Sequence, residues 1–179
     1  FRVTKIIEER SKHSIAFHYR EASLKGCEYA IKTINRLLEK YDDLEVHVIG
    51  NVDCPETLKG KCIYHKNINE REVAEISNNV RVFMSTSIEE GFGLPGLEAM
   101  ACGCALVTTD YAGAMEYAEN GKNALISPVR DCEYMSQNVI RLFEDELFLK
   151  EISKQAVMTA REFSIDKSRA AFMKYIYLL

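Results

Sequence analysis

Residues 89–101 read Glu89-Glu90-Gly91-Phe92-Gly93-Leu94-Pro95-Gly96-Leu97-Glu98-Ala99-Met100-Ala101. Glycines at 91, 93 and 96 let the backbone approach a ligand closely, and Pro95 suits the first turn of a helix. The helix therefore starts beside the glycines. Its unpaired N–H groups and positive dipole end favour an anion, and phosphate is the commonest anion met this way. Glu90 ends the segment that enters the loop, and Glu98 sits about one turn into the helix. Two carboxylates beside a phosphate cradle suit sugar hydroxyls, because one carboxylate accepts from two neighbouring hydroxyls at once. Singly, these features have ordinary meanings: an early helix glutamate answers the dipole, and clustered glycines make a turn. Together they imply a nucleotide-sugar site.

Strands and helices alternate outward from this loop. Ser14 to Tyr19 has strand chemistry, and Cys27, Ala30, Ile31, Ile34, Leu37 and Leu38 follow at helical spacing. Leu44 to Ile49, closed by Gly50, reads as the next strand, with His47 as an ordinary, partly buried strand residue. A polar loop over 51–61 leads to a short strand at 62–65, a helix over 70–79 and a strand over 80–84. Beyond the motif, a strand at 105–109, a short helix over 115–119 and a strand at 124–127 are expected. Asp131 then caps a helix carrying Met135, Val139, Leu142 and Phe143 on one side. A second helix has Leu149, Ile152, Ala156 and Phe163 as its stripe. Ser164 caps a last helix that runs to the end with Phe172, Ile176 and Leu179. The pattern implies an α/β fold, a Rossmann-like parallel sheet of about six strands with helices on both faces. Ligands of such sheets sit beyond the carboxyl ends of the strands, near the switch in strand order. Arg20 and the Glu90 loop each follow such an end, so they can converge although 70 residues apart.

A chain of 179 residues is one domain by length, with 47% hydrophobic and 28% charged residues. A net charge of −4 gives no argument for nucleic acid. No apolar run reaches membrane-span length and no signal peptide heads the chain, which points to the cytoplasm. Any contact with a membrane surface falls to the rest of a full-length protein or to a local basic patch. Six cysteines, at 27, 54, 62, 102, 104 and 132, read as free thiols in this setting. Cys102-Gly103-Cys104 reads as small packing residues where a helix turns into a strand, and Cys54, Cys62 and His65 are too few for a metal site.

Glu90, seven residues, then Glu98, within EGFGLPGLEAMACG, resembles the signature of the retaining GT-B glycosyltransferases of family four, the glycosyl transferases group 1. The likeness continues through Ala105 to Thr109, Gly113 and Glu116 to Gly121, Pro128 and Asp131. Tyr19-Arg20 followed by Lys25-Gly26 is similar to the family's basic pair that holds the donor diphosphate. The chain departs from the pattern at Ala105, where the family often has Pro, and at Ala112, where it often has the first of two glycines. Members of the family have two Rossmann-like domains. The resemblance implies that residues 1–179 are the C-terminal donor-binding domain, that the N-terminal acceptor domain lies outside this chain, and that the chain alone is inactive. A first residue of Phe is consistent with an excised fragment.

The expected reaction is retaining transfer of a sugar from a nucleotide diphosphate donor to a glycan, lipid or small-molecule acceptor in glycan biosynthesis. Arg20, Lys25 and the N–H groups near Gly93 and Leu94 would face the diphosphate, where charge develops. The resemblance implies that Glu98 holds the ribose hydroxyls and Glu90 the sugar hydroxyls. It also implies that Gly91 and Phe92 shape the sugar pocket, and that no metal is obligatory. The base would meet main chain and the polar segment around Lys66 to Asn69. A glycoside hydrolase also uses two carboxylates, about 5–9.5 Å apart, but has little use for a phosphate cradle. A GT-B nucleotide-sugar epimerase and a non-catalytic nucleotide-sugar-binding module are the remaining alternatives.

Overall fold

The computed structural model describes residues 1–176. Six strands, β1 (Ser14–Tyr19), β2 (Glu45–Gly50), β3 (Ile63–Lys66), β4 (Val82–Ser85), β5 (Ala105–Thr109) and β6 (Ala124–Ser127), form one sheet in the order β3-β2-β1-β4-β5-β6. All five pairings are parallel. Alternating residues serve opposite faces, which is why the strands are apolar almost throughout. Ile15, Phe17, Val46, Val48, Val82, Met84 and Val107 share one core with Ala30, Ile34 and Leu37 of α1 (Cys27–Leu38) and with Met135, Val139 and Leu142 of α4 (Cys132–Glu144). Ala16, Ile49, Phe83 and Leu106 share the other. Their partners are Ile76 of α2 (Glu70–Ser77), Leu97 and Met100 of α3 (Leu94–Ala101), and Ala156 and Ala160 of α5 (Glu146–Glu162).

The helix starts follow from local side chains. Asp131 accepts from the Tyr134 N–H at α4 and Asp145 from the Phe148 N–H at α5. Asn69 and Glu72 close a capping box at α2. Ser164 accepts from the Lys167 N–H before α6 (Ile165–Ile176).

Several expectations shift. The helix expected over 115–119 is a 3-10 turn at Ala112–Glu116. α2 ends at Ser77, so the helix expected to reach 79 is shorter. Phe163 lies just past α5 and is 38% exposed instead of completing its buried stripe. On α6, Phe172 and Ile176 are 65% and 48% exposed and form no core; Leu179 lies outside the described residues. The six cysteines are free, and Cys102 and Cys104 are buried at the α3–β5 turn. The Cys54 and Cys62 sulfurs lie 3.9 Å apart, and no group of three or more metal-binding side chains occurs among the described residues. His47 is half-buried and stacks on His65.

Arg10 anchors the end of the sheet opposite the strands' carboxyl ends. Only 3% exposed, its guanidinium donates to the Lys5 carbonyl at 2.7 Å, Ser77 at 3.0 Å, Val80 at 2.8 Å and Cys102 at 2.7 Å. It ties the N-terminal segment, the end of α2, the entry to β4 and the α3–β5 turn into one unit. Removing the fork takes the charged donor from the buried Val80 and Cys102 carbonyls, each a sizeable desolvation cost. Arg10→Met is expected to lower unfolding free energy by about 3 kcal/mol or more in urea titration. A loss under about 1 kcal/mol would contradict the anchoring role.

Candidate active site at the switch in strand order

The strand order reverses between β1 and β4, and the loops leaving these two strands meet there. Their meeting depends on the turn before α1. Gly26 sits at φ 60°, and a Cβ on it would lie 2.0 Å from the Thr86 carbonyl oxygen. The absent side chain lets the turn dock on the β4 exit, where the Ile88 N–H donates to the Leu24 carbonyl at 2.8 Å and the Thr86 hydroxyl to the Lys25 carbonyl at 3.2 Å. Lys25 thereby comes beside the motif loop. Its Nζ lies 2.8 Å from Oε1 of Glu90, while the Ser87 hydroxyl donates to Oε2 at 2.8 Å.

A second glycine fixes the loop from the other side. A Cβ on Gly113 would lie 2.6 Å from the Gly91 carbonyl and 2.7 Å from that of Glu90, so the 3-10 turn packs directly on the motif backbone. Gly93 then takes a left-handed conformation, φ 88°, as the cap of α3, with no side-chain cap and with Pro95 in the first turn. The Gly93 carbonyl accepts from the Gly96 N–H at 3.0 Å and the Tyr117 hydroxyl at 2.9 Å. Burial, then Tyr111, push the Tyr117 phenol up, so it remains a donor. The start of α3 is thus held rigid while its outward N–H groups stay free of side-chain caps.

Two adjoining hollows result. One, of about 120 Å³, is lined by His18, Arg20, Lys25, Ser87 and Glu90 among others. The other, an open cleft of about 550 Å³, is lined by Lys25, Glu90, Gly91, Phe92, Gly93, Leu94, Pro95 and Glu98. All eight site residues expected from sequence line one or both, and Lys25, Glu90 and Pro95 border the two together. Arg20 lies in the smaller hollow and donates to its neighbour's carbonyl, that of Tyr19, at 3.0 Å. Glu98 is half-buried, and burial, then Glu70 at the start of α2, raise its pKa. Phe92 packs against Tyr117 and Phe163, at ring centroid distances of 5.4 and 5.8 Å. The 66–69 segment lines neither hollow; Lys66 pairs with Asp53, and Asn69 caps α2.

The sequence model of the glycosyl transferases group 1 matches residues 5–161. The chain belongs to this family. It is 26% identical over 162 residues to the poly(glycerol-phosphate) alpha-glucosyltransferase of Bacillus subtilis, covering 86% of this chain and 24% of that protein. The chain therefore spans about a quarter of that relative's length. The C-terminal domain of a Francisella tularensis glycosyl transferase group 1 protein, LpcC, superposes with a TM-score of 0.73 at 22% identity, over 88% of this chain and 89% of that one. Staphylococcus aureus TarM, solved with UDP, fondaparinux and alpha-GlcNAc-glycerol, superposes with a TM-score of 0.82 at 16% identity, over 99% of this chain and 38% of that one. These likenesses establish the GT-B Rossmann-like fold.

Sequence reasoning missed three residues of this candidate site, His18, Ser87 and Tyr117, and the docking role of Gly113. His18 alone carried a signal, a titratable ring near the end of an otherwise apolar strand, directly before Tyr19-Arg20. Burial first, then Arg20, push its pKa from 6.5 to about 4.

Two outcomes are expected. Gly26→Ala adds left-handed strain and a backbone clash, costing about 2 kcal/mol or more in denaturant unfolding; an unchanged midpoint would refute the docking of this turn. The half-buried His18 ring holds its proton less well folded than unfolded, so its contribution to stability is whole above pH 6.5 and lost as pH falls towards 4. His18→Val should therefore lose less stability than the native chain between pH 7 and pH 4.5, and equal losses in the two would contradict this.

Proposed function

We propose that this chain is the donor-binding domain of a retaining glycosyltransferase, and that the two hollows together receive a nucleotide diphosphate sugar. The observation that carries the reading is the Lys25–Glu90 pair, a cation and an anion brought to 2.8 Å beside an uncapped helix start. Each has a separate part of the ligand to serve. The ammonium can turn from Glu90 to the diphosphate, joined by Arg20 and the N–H groups of Gly93 and Leu94. Glu90, held by Ser87, then accepts from the sugar hydroxyls, and Glu98 accepts from the ribose. Gly91 and Phe92 shape the sugar pocket.

Breaking the bond from the anomeric carbon to the diphosphate oxygen leaves an added negative charge on the departing group. Fixed donors aimed at that charge stabilise the transition state, and losing one such donor typically costs about 10²–10³ in rate. Basic side chains and the helix start supply the positive field, so a divalent metal is not required in this reading. The resemblance to family four supports retention. The acceptor, whether glycan, lipid or small molecule, would be chosen by an N-terminal domain of the longer protein. No helix among the described residues is long and apolar enough to cross a membrane. UDP is the first nucleotide to test, since TarM was solved with it.

Isothermal calorimetry of the chain against UDP, GDP and ADP and their sugar conjugates, with and without EDTA, tests the reading. One nucleotide series should bind, and EDTA should not change its affinity. Glu98→Ala should weaken both nucleotide and nucleotide sugar by about tenfold or more, whereas Glu90→Ala should weaken mainly the sugar-bearing ligand. A folded chain that binds none of the panel, or variants that bind both ligands equally, would contradict the assignment.

A further inference from the structure

His18 is the next-to-last residue of β1 and points to the face that α3 covers, where its ring meets Phe83 edge-on at 5.6 Å. The ring lines the smaller hollow. There Arg20, Lys25, Thr86, Ser87 and Glu90 each have a protein partner for a polar side-chain atom. The His18 ring has none among the described residues, and its Nε2 is enclosed with no hydrogen-bond partner there. An enclosed ring nitrogen without a partner is a cost to folding that an aliphatic side chain, the ordinary occupant of a buried parallel strand, would avoid. A ring kept there despite that cost needs a partner that the protein itself does not provide.

The charges around the ring suggest that partner. Arg20 leaves the end of the same strand, Lys25 comes from the turn before α1, and Glu90 comes from the loop after β4; Phe83 of β4 and Pro95 of α3 add no charge. Lys25, Glu90 and Arg20 together carry a single net positive charge, whether the Lys25 ammonium faces Glu90 or a ligand. The diphosphate of a nucleotide sugar carries two negative charges. One is left to be balanced, next to an imidazole that burial first and then Arg20 keep neutral against the smaller opposing pull of Glu90.

We propose that His18 is a third basic contact for the donor diphosphate, and that its ring takes up a proton from solvent as the diphosphate enters this hollow. The proposal rests on the nucleotide-sugar reading above. Binding then becomes proton-linked: affinity falls as pH rises through the bound-state pKa of the ring. The phosphates offset the repulsion from Arg20 with an attraction of their own, which shifts the ring back towards its ordinary titration range.

The test is calorimetry with UDP-glucose, GDP-mannose and ADP-glucose at pH 6, in two buffers of different ionisation enthalpy, for the native chain, His18→Val, His18→Gln and Lys25→Ala. Nucleotide sugars are used because their diphosphate lacks the second phosphate ionisation near pH 6 that would mask the protein's own proton. The native chain should take up protons on binding its ligand. Both His18 variants should lose that uptake, and His18→Val should bind about tenfold more weakly while unfolding at the same or a higher temperature when free. A merely structural histidine would lower the unfolding temperature on substitution and leave proton uptake unmoved. Binding by the native chain without uptake, or uptake unchanged in His18→Val and His18→Gln, overturns the proposal. If Lys25→Ala loses binding while the His18 variants keep both affinity and uptake, the donor reading stands and His18 falls. If the native chain binds none of the three, both fall.

Discussion

The Thr86 carbonyl occupies the space where residue 26 would carry a side chain, and from that contact the rest of the site follows. With glycine at 26 the turn before α1 lies flat on the exit of β4, and three hydrogen bonds from that exit hold Leu24 and Lys25 in place. A basic residue that follows β1 in sequence is thereby fixed beside a carboxylate that follows β4. Gly113 does the same from the far side, setting the 3-10 turn against the backbone of Glu90 and Gly91. The motif loop is clamped by backbone contacts on both flanks, and its charged and polar groups remain directed to the hollows. Precise placement of such groups is what transfer chemistry needs, because preorganised donors require no rearrangement as charge develops.

Much of this was legible in the sequence. Strands at 14–19, 105–109 and 124–127 announce themselves as apolar runs, and the observed bounds agree. The eight expected site residues come together because a parallel sheet collects the carboxyl ends of its strands on one edge. Elements that depend on distant partners were harder. The turn at Ala112–Glu116 has no helical periodicity of its own; it exists where the Gly91 backbone leaves room for it. Phe163, Phe172 and Ile176 show apolar spacing, but spacing does not say which surface a helix meets, and all three are exposed. The ring of His18 is a visible signal at the end of an apolar strand, but its role is not, because what gives it meaning, Phe83 and Glu90, lies 65 or more residues away.

The two ends of the sheet divide the labour. At one end Arg10 satisfies buried carbonyls from four segments and leaves no group to spare for a ligand. At the other, Lys25, Glu90, Arg20 and His18 are half-exposed or incompletely partnered, a configuration that costs stability and that a ligand relieves. That asymmetry is the physical basis for assigning function to the carboxyl-terminal edge.

The most direct test is a crystal structure of the chain with the nucleotide diphosphate it binds. The account predicts the diphosphate at the start of α3, within hydrogen-bond reach of the Gly93 or Leu94 N–H and of Lys25, with Lys25 drawn away from Glu90. A diphosphate seated elsewhere, with the Lys25–Glu90 pair intact, would contradict it.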